Sequence, residues 1–252
     1  MNIKPTCYLS RLLAYCIWIE GIKIWRMPTF SIPMLSFPIL LFLLFFFLFA
    51  RTEADVRGAL VSYGTYAAMS TGLFSFGISI ALERFAGYDR MLRISPLNPF
   101  VYFSAKTVMT LVFTTIGTAG VMLVASLLVD INIPARSWLL LELCFLAGAI
   151  PSLALGLWLG YMGRPDVVAS IANIVFLAMA FFSVLFVPLS TLHESVGSLA
   201  WLLAHFHVAA LGRQVLGLEN VRLVWLHLSI LLVYSVIFFL CAAWTYARDS
   251  NR

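Results

Sequence analysis

The sequence has few charged residues. Charged side chains make up 11% of the 252 residues and hydrophobic side chains 62%, whereas soluble domains average roughly 25% charged and 45–50% apolar residues. The mean hydropathy is +0.99. So few charges cannot solvate a soluble domain of this size, so the composition predicts an integral membrane protein. Spans of roughly 20 residues each leave little chain for folded domains outside the bilayer, and a single domain over residues 1–252 is the simplest organisation.

Residue patterns that carry chemistry are also missing from the sequence. It has no G-x-x-x-x-G-K-[ST] phosphate loop, so the chain cannot hydrolyse ATP alone. It also has no G-x-S-x-G or H-E-x-x-H motif, which argues against a membrane hydrolase. We therefore expect no cofactor on this chain and no catalytic residues, with a polytopic membrane enzyme as the alternative from another class. The four cysteines form no C-x-x-C pair: Cys7, Cys16, Cys144 and Cys241. The sequence also lacks a basic stripe interleaved with aromatic residues, so it gives no indication of nucleic-acid binding.

Six stretches between successive charges are long enough to cross a bilayer, which takes roughly 20 residues. We predict spans at about 31–50, 58–82, 101–129, 138–162, 167–189 and 223–247. Glu142 is the only charged residue well inside any of these windows. An intramembrane acid is a candidate functional site, although its place near one end of the span also suits a structural, snorkelling or paired role.

The distribution of Lys and Arg predicts the orientation. With the N-terminus in the cytoplasm, eleven of the 16 basic residues fall on the cytoplasmic side, as the positive-inside rule requires. The other five are Arg51, Arg57, Arg136, Arg213 and Arg222. Both termini are therefore expected in the cytoplasm, and the number of spans must be even.

Two further helices are predicted at the cytoplasmic surface. Apolar and charged residues alternate at helical spacing over 8–26, which favours an interfacial amphipathic helix that Pro28 and Pro33 then break. Between the second and third spans, Leu82, Phe85 and Tyr88 recur at intervals of three residues. This spacing predicts a short amphipathic helix over 83–94, which a proline at position 96 ends.

Residues 191–217 are predicted to form a re-entrant segment on the outer face. The stretch 195–212 is mostly apolar and could be a seventh span, but the C-terminus would then lie outside the cell. We therefore prefer a re-entrant or interfacial pair of short helices. Four residues here could in principle gather a metal ion: His193, Glu194, His205 and His207. Because alternate positions on a helix point to different faces, we expect polar interfacial histidines and no metal site.

Small residues recur at four-residue spacing along the fourth predicted span. They are Gly148, Ser152, Gly156 and Gly160. Such a stripe lets two helices approach closely. It indicates packing within one protomer or, alternatively, a seam between protomers or part of a substrate path.

One stretch resembles a known family. Its residues match E-R-x-x-G, L-x-x-x-P-L and a following Lys: Glu83, Arg84, Gly87, Leu92, Arg93, Pro96, Leu97 and Lys106. This pattern, together with the six spans, resembles the type-2 ABC transporter permeases, the membrane subunits of many bacterial exporters. The resemblance implies an all-α membrane protein of six transmembrane helices, with an N-terminal interfacial amphipathic helix, a cytoplasmic coupling helix and a re-entrant outer segment before the last span.

The resemblance also implies partners, a location and a function. The chain would export a hydrophobic or amphipathic substrate such as a drug, natural product, lipid or lipid-linked glycan across the bacterial plasma membrane. Its partners would be two ATP-binding subunits that hold the ATP and Mg, a second permease protomer forming a homodimer or heterodimer, and membrane lipids. A haem or cytochrome-assembly permease of the same class is the alternative.

The resemblance assigns roles to particular residues of this sequence. Contact with the ATP-binding subunit would fall to Glu83, Arg84, Gly87, Arg90, Leu92, Arg93, Pro96 and Lys106. The outer gate would include Pro188, His205, His207 and Arg213. One departure concerns this gate, because the family commonly has Asn-Pro before its Arg where this chain has His205, Phe206 and His207.

Overall fold

The protein is all helical over the residues that its structure, a computed structural model, describes. These are residues 5–88, 91, 94–95, 97–128, 133–183, 199–220 and 223–250. Within these ranges the principal helices are α1 (Pro5–Trp25), α2 (Pro28–Leu48), α3 (Glu53–Phe85), α4 (Pro99–Leu128), α5 (Ala135–Gly160), α6 (Pro165–Phe182), α7 (Ala204–Val215) and α8 (Val224–Ser250).

Six of the described helices, α2 to α6 and α8, are long and apolar enough to cross a membrane. The predicted number of spans and the all-helical class are confirmed. The clearest difference in bounds is at the second span, predicted as 58–82, because α3 extends beyond it at both ends. Its start is fixed by a capping box, in which Thr52 and Asp55 each accept a hydrogen bond from the other's backbone N–H.

The prolines of α2 do not act as the sequence pattern predicts. Pro28 occupies the first turn of the helix, and Pro33 and Pro38 lie inside it. The helix therefore starts at Pro28, where a missing N–H costs nothing and the fixed φ suits helical backbone. The prediction that Pro33 also breaks the chain is wrong, since the helix continues through it despite the lost hydrogen bond.

α3 is the central helix of the bundle. Most of α3 is buried, whereas only a small part of α2, α6 and α8 is buried. It packs against α2, α4, α5 and α7. Residues Thr71–Ser75 of α3 form one π-helical turn, and this turn also contacts α5. Such a local irregularity in a long helix is frequent at functional positions.

The orientation of α1 differs from that of an amphipathic surface helix. Its Glu20 is buried against the bundle, while Trp18 and Trp25 are exposed. Apolar side chains lose nothing by facing lipid, whereas charged ones need partners, so a helix in contact with a bilayer can turn its charges inward. α1 packs mainly on α4.

α7 is the main helix in the described part of the predicted outer segment. Its 12 residues span about 18 Å at 1.5 Å per residue, which is too short to cross a hydrocarbon core of about 30 Å. The helix is nevertheless buried from Ala204 through Gly212, where it packs against α3, α5 and α8. Pro188 and residues 191–198 lie outside the described residues.

Candidate functional site

A cluster of four charged residues joins α1, α3 and α4 at one end of the bundle. Lys23 Nζ lies 2.7 Å from Glu20 Oε1 and 2.9 Å from Glu83 Oε1. Lys106 Nζ lies 3.1 Å from Glu83 Oε1 and 3.2 Å from Glu20 Oε2. Each lysine thus contacts both glutamates, and the two positive and two negative charges balance. We call these four residues the charged cluster.

Neutral donors and acceptors complete the charged cluster. Lys106 Nζ donates to Ser79 Oγ at 2.7 Å, and the Tyr102 hydroxyl donates to Glu83 Oε2. The Lys106 side chain is 3% exposed and that of Glu20 8%. Charges this deeply buried are tolerated only with opposite charges and further hydrogen bonds, and the cluster supplies both.

Lys23 carries a full positive charge in this setting. Burial disfavours the ammonium form, but Glu83 and Glu20 outweigh that effect and raise the pKa of Lys23 above its ordinary value. A lysine with a raised pKa stabilises the fold fully below its unfolded value of about 10.4 and loses this contribution only as the pH rises through the folded pKa. The attachment of α1 through Lys23 is therefore constant over the physiological pH range.

Arg84 joins the ends of α3 and α5. Its Nη1 donates to the carbonyl oxygen of Gly160 at 3.0 Å, and its guanidinium lies 4.8 Å from the centroid of the Tyr161 ring. Gly160 is the last residue of α5, whose terminal carbonyl groups need donors and favour a cation. Arg84 is thus a helix cap as well as a member of the family motif.

The chain turns sharply after α3 at Gly87. Its φ is +81° and a Cβ there would meet nothing within 4 Å, so the left-handed backbone rather than crowding favours glycine. The predicted coupling helix over 83–94 therefore differs at its start, because Glu83 and Arg84 belong to α3. Arg90, Leu92, Arg93 and Pro96 lie outside the described residues.

The described residues beyond Gly87 have helical backbone hydrogen bonds. The N–H of Met91 donates to the carbonyl of Gly87, and the N–H of Ser95 to the carbonyl of Met91. Met91 and Ile94 are both exposed. The segment between α3 and α4 therefore presents apolar side chains at the end of the bundle where the charged cluster lies.

Glu142 lies in α5 beside α4, apart from the charged cluster. Thr118 Oγ1 is 3.0 Å from Glu142 Oε1 and 2.9 Å from Oε2. Thr118 is fully buried, while Glu142 is half-buried. Among the described residues Glu142 has threonine as its polar partner and forms no ion pair.

The small-residue stripe of α5 packs within the chain. A Cβ at Gly156 would lie 2.6 Å from the carbonyl oxygen of Leu73, and one at Gly160 would lie 2.9 Å from that of Gly77. A Cβ at Gly148 would lie 2.6 Å from a methyl of Val208. The stripe is buried against α3 and α7, so these positions leave no open surface for a second protomer.

The histidines of the outer segment face different neighbours. His205 Nε2 lies 2.6 Å from Ser152 Oγ of α5. His207 Nδ1 lies 2.8 Å from His227 Nδ1 of α8, and its Nε2 lies 3.0 Å from the carbonyl oxygen of Trp201. Each histidine therefore ties α7 to a different helix. No group of three metal-binding side chains occurs in the part of the chain that the structure describes, which does not include His193 or Glu194.

Arg213 near the end of α7 forms an ion pair, with 2.8 Å between its Nε and Glu219 Oε1. Arg213 pairs with Glu219, whereas His205 contacts Ser152 and His207 contacts His227. The three gate residues that the structure describes therefore have different partners.

Sequence reasoning missed half of the charged cluster. Glu83 and Lys106 belong to the family pattern, but Glu20 and Lys23 do not. The neutral partners Ser79 and Tyr102 were not predicted either. A signal was present, because Glu20 and Lys23 stand three positions apart on one helix and have charges opposite to those of Lys106 and Glu83. Lys106 also lies inside α4, so Glu142 is not the only charge well within a span, as the window count suggested.

The fold defines a multi-pass membrane protein whose buried charges link helix ends. The family model for the ABC-2 type transporter matches residues 11–216, and the chain belongs to this family. It is also similar to a Bacillus subtilis (strain 168) protein named "Putative transport permease YvfS", with 24% identity over 181 residues that cover 72% of this chain and 73% of the relative. The chain is thus a transport permease of the membrane, a transporter subunit rather than an enzyme.

Proposed function

We propose that the chain is the permease subunit of an ATP-driven exporter that moves hydrophobic or amphipathic molecules across the bacterial plasma membrane. ATP and Mg would be held by two separate ATP-binding subunits, and a second permease protomer would complete the transporter. The observation that carries this proposal is the charged cluster, which ties α1, α3 and α4 together beside the segment that resembles a coupling helix.

The charged cluster can transmit a push from that segment into the membrane helices. The segment follows α3, which contains Glu83, after the turn at Gly87, and it leads into α4, where Lys106 lies. Removing one partner of a buried ion pair costs about 3–5 kcal/mol. Because separating the three helices would break such pairs, α1, α3 and α4 should move as one unit when the segment is displaced. Exposed Met91 and Ile94 supply apolar surface on which an ATP-binding subunit can dock.

A cavity beside the charged cluster supports an amphipathic substrate. It has a volume of about 480 Å³ and lies between α1, α2, α3 and α4. Glu83 and Lys106 form part of its wall, while Phe30, Ile78 and Leu82 form another part. A molecule with one polar and one apolar end fits such a lining better than an ion does.

α7 is proposed as the inner part of a re-entrant outer gate. It is too short to span, yet it is buried and held by His205 to α5 and by His207 to α8. Displacing α7 would break both hydrogen bonds, so the two histidines would hold the gate closed until α5 and α8 move apart.

Substitution of Gly87 tests the proposed coupling. Gly87→Val forces a β-branched residue into a left-handed conformation, at a cost of roughly 1–2 kcal/mol, which corresponds to an approximately tenfold shift against the native turn. We expect the variant to lose most of its stimulation of ATP hydrolysis when purified with the ATP-binding subunit that it recruits. The measurement is the ATPase rate with and without the permease in lipid nanodiscs.

Gly217→Val is the matched control. Gly217 has a φ of +71° with nothing within 4 Å of an added Cβ, so it incurs similar strain, but it lies after α7 at the other end of the bundle. We expect it to leave ATPase stimulation intact. Equal loss in both variants, or full stimulation by Gly87→Val, would contradict the assignment of this turn to coupling.

A further inference from the structure

Glu142 has no role in the proposed coupling or in the proposed gate, although it lies well inside a membrane span. It stands seven positions after Ala135, the first residue of α5, which places it about 10 Å along the helix axis. The 26 residues of α5 extend over about 39 Å, and a hydrocarbon core is about 30 Å thick. A helix centred in the bilayer therefore has Glu142 about 6 Å inside the hydrocarbon.

Glu142 lies at the surface of the bundle where α4 and α5 meet. Its side chain is partly exposed, and Leu139 and Leu143 of α5 are exposed beside it, as is Thr115 of α4. A surface at this depth faces apolar groups rather than water, so an ionised carboxylate there is costly. Such an acid needs either a cation or a proton.

No cation compensates Glu142 in the part of the chain that the structure describes. Arg136 of α5 lies six positions earlier, in the exposed first turn. The side chains within hydrogen-bond reach of Glu142 are the neutral Thr115 and Thr118 of α4. Charged and histidine side chains of the helices around α5 have other partners: Arg57 with Glu53, Lys106 with Glu83, Arg164 with Asp166, Arg213 with Glu219, and His227 with His207.

The hydroxyl group of Thr118 has more close acceptors than it has hydrogens. Its Oγ1 lies 2.9 Å from Glu142 Oε2 and also 2.9 Å from the carbonyl oxygen of Thr114. A hydroxyl donates one hydrogen, and a carbonyl or a carboxylate oxygen can only accept. If Glu142 were ionised, one of these two contacts would have no hydrogen between its oxygens. A protonated Glu142 donates to Thr118, which then donates to Thr114.

Thr115 is in a similar position. Its Oγ1 lies 3.1 Å from the carbonyl oxygen of Leu111, and it is also within reach of Glu142. The two hydroxyl hydrogens of Thr115 and Thr118 thus face two carbonyl oxygens and the carboxyl group. The proton of a neutral acid supplies the third hydrogen that this arrangement can use.

We propose that Glu142 is a proton-binding site inside the membrane. It holds a proton at neutral pH and donates it to Thr118 Oγ1, which links α5 to α4. The proton takes the place of a counter-cation, because a neutral acid with a hydrogen-bond partner is far less costly in hydrocarbon than a carboxylate. The site needs neither an ATP-binding subunit nor a substrate, so its test is independent of the exporter proposal.

Infrared spectroscopy of the full chain tests the proton directly. The C=O stretch of a carboxylic acid lies apart from the bands of carboxylates and peptide groups, and dodecyl maltoside as the detergent adds no carbonyl group. At neutral pH we expect a carboxylic acid band that Glu142→Gln removes. Thr118→Val keeps the shape of the side chain without its hydroxyl, so the band should remain and move to a higher wavenumber.

Unfolding in SDS gives a second readout. A group that is protonated when folded and ionised when unfolded makes the folded-to-unfolded ratio fall as the pH rises, by up to roughly tenfold per pH unit. We expect this fall in the native chain relative to Glu142→Gln, whose neutral amide holds no exchangeable charge. The control is Glu53→Gln. Because the Glu53 side chain is 51% exposed and paired with Arg57, this variant should keep both the acid band and the pH dependence of the native chain.

Three results would overturn the proposal. A native chain without any carboxylic acid band at neutral pH would show that Glu142 is ionised, and no variant is needed for that conclusion. A band that survives Glu142→Gln would assign the proton to another acid. A band that Thr118→Val leaves in place and unshifted would show that the proton is not donated to Thr118.

Discussion

Lys106 shows how a full charge is accommodated inside a transmembrane helix. It lies seven positions after Pro99, the first residue of α4, and its side chain is almost completely buried. An unpaired ammonium group at such a place is costly. Glu20, Glu83 and Ser79 supply three acceptors for its three N–H groups, which is the full number that a lysine can use.

Removing this charge should destabilise the protein strongly. Lys106→Met leaves Glu20 and Glu83 with one cation instead of two, and we expect a loss of about 3–5 kcal/mol in the free energy of unfolding. The measurement is a titration with SDS in mixed micelles. Adding Glu83→Gln to Lys106→Met should recover part of the loss, because it removes the excess negative charge.

Arg57→Met is the matched control for Lys106→Met. Arg57 Nη2 lies 2.6 Å from Glu53 Oε1, but the Glu53 side chain is 51% exposed, and such a pair contributes about 0–1 kcal/mol. If the two substitutions cost the same, the charged cluster would not stabilise the fold and its role in coupling would need another basis.

The backbones of α3 and α5 come close together where the two helices cross. Gly72 and Gly77 of α3 face Ala149, Ser152 and Gly156 of α5, and a Cβ on either α3 glycine would approach α5 backbone within 3.1 Å. Sequence spacing revealed the small-residue stripe of α5 but not its partner. A stripe reports only that something comes close, and four-residue spacing is the same for a neighbour within the chain and for a second protomer.

Gly156→Ala should weaken this crossing. The new Cβ would lie 2.6 Å from the carbonyl oxygen of Leu73 and 3.1 Å from that of Gly72, and backbone cannot move aside as a flexible side chain can. We expect a loss of about 1–3 kcal/mol, typical of overpacking, seen as a lower Tm in detergent.

Gly58→Ala is the control for that substitution. Gly58 lies in α3 with nothing within 4 Å of an added Cβ, so alanine brings only its higher helix propensity, worth up to about 1 kcal/mol. The Tm of this variant should stay equal or rise. A Gly156→Ala variant that is as stable as Gly58→Ala would show that α3 and α5 can separate without cost.

At the scale of the whole molecule, the helix ends sort into two sets. The charged cluster and Gly87 lie at one end, and the capping box at Thr52 and the turn at Gly217 lie at the other. The charge bias of the sequence predicts that the first end is cytoplasmic. This orientation is the condition on which contact with an ATP-binding subunit depends.

Cysteine labelling tests the orientation directly. In a chain without its native cysteines, Ser95→Cys and Ala54→Cys introduce exposed thiols at the two ends of the bundle. In intact cells a membrane-impermeant maleimide should label Ala54→Cys and not Ser95→Cys, and permeabilised cells should label both. The reverse pattern would place the segment after Gly87 outside the cell and would end the exporter proposal.

The number of spans was predictable because crossing a bilayer is a property of local length and hydrophobicity. The family pattern around Glu83 was likewise local, and both were read without a structure. Helix bounds were less predictable, because a charge does not end a helix. α3 includes Glu53, Arg57 and Glu83, since a capping box and a left-handed glycine, not the first charged residue, determine its ends.

Composition, span length and the motif between the second and third spans were enough to predict a six-span, all-helical membrane protein. Which charges meet became known from the folded chain alone, because Lys106 and Glu20 are separated by 86 positions and Lys23 and Glu83 by 60, and no local pattern encodes such a pairing. The tertiary structure also decided that α1 turns Glu20 inward and its tryptophans outward. The physical reason is that lipid solvates apolar side chains but not charged ones, so charges find their partners through the fold.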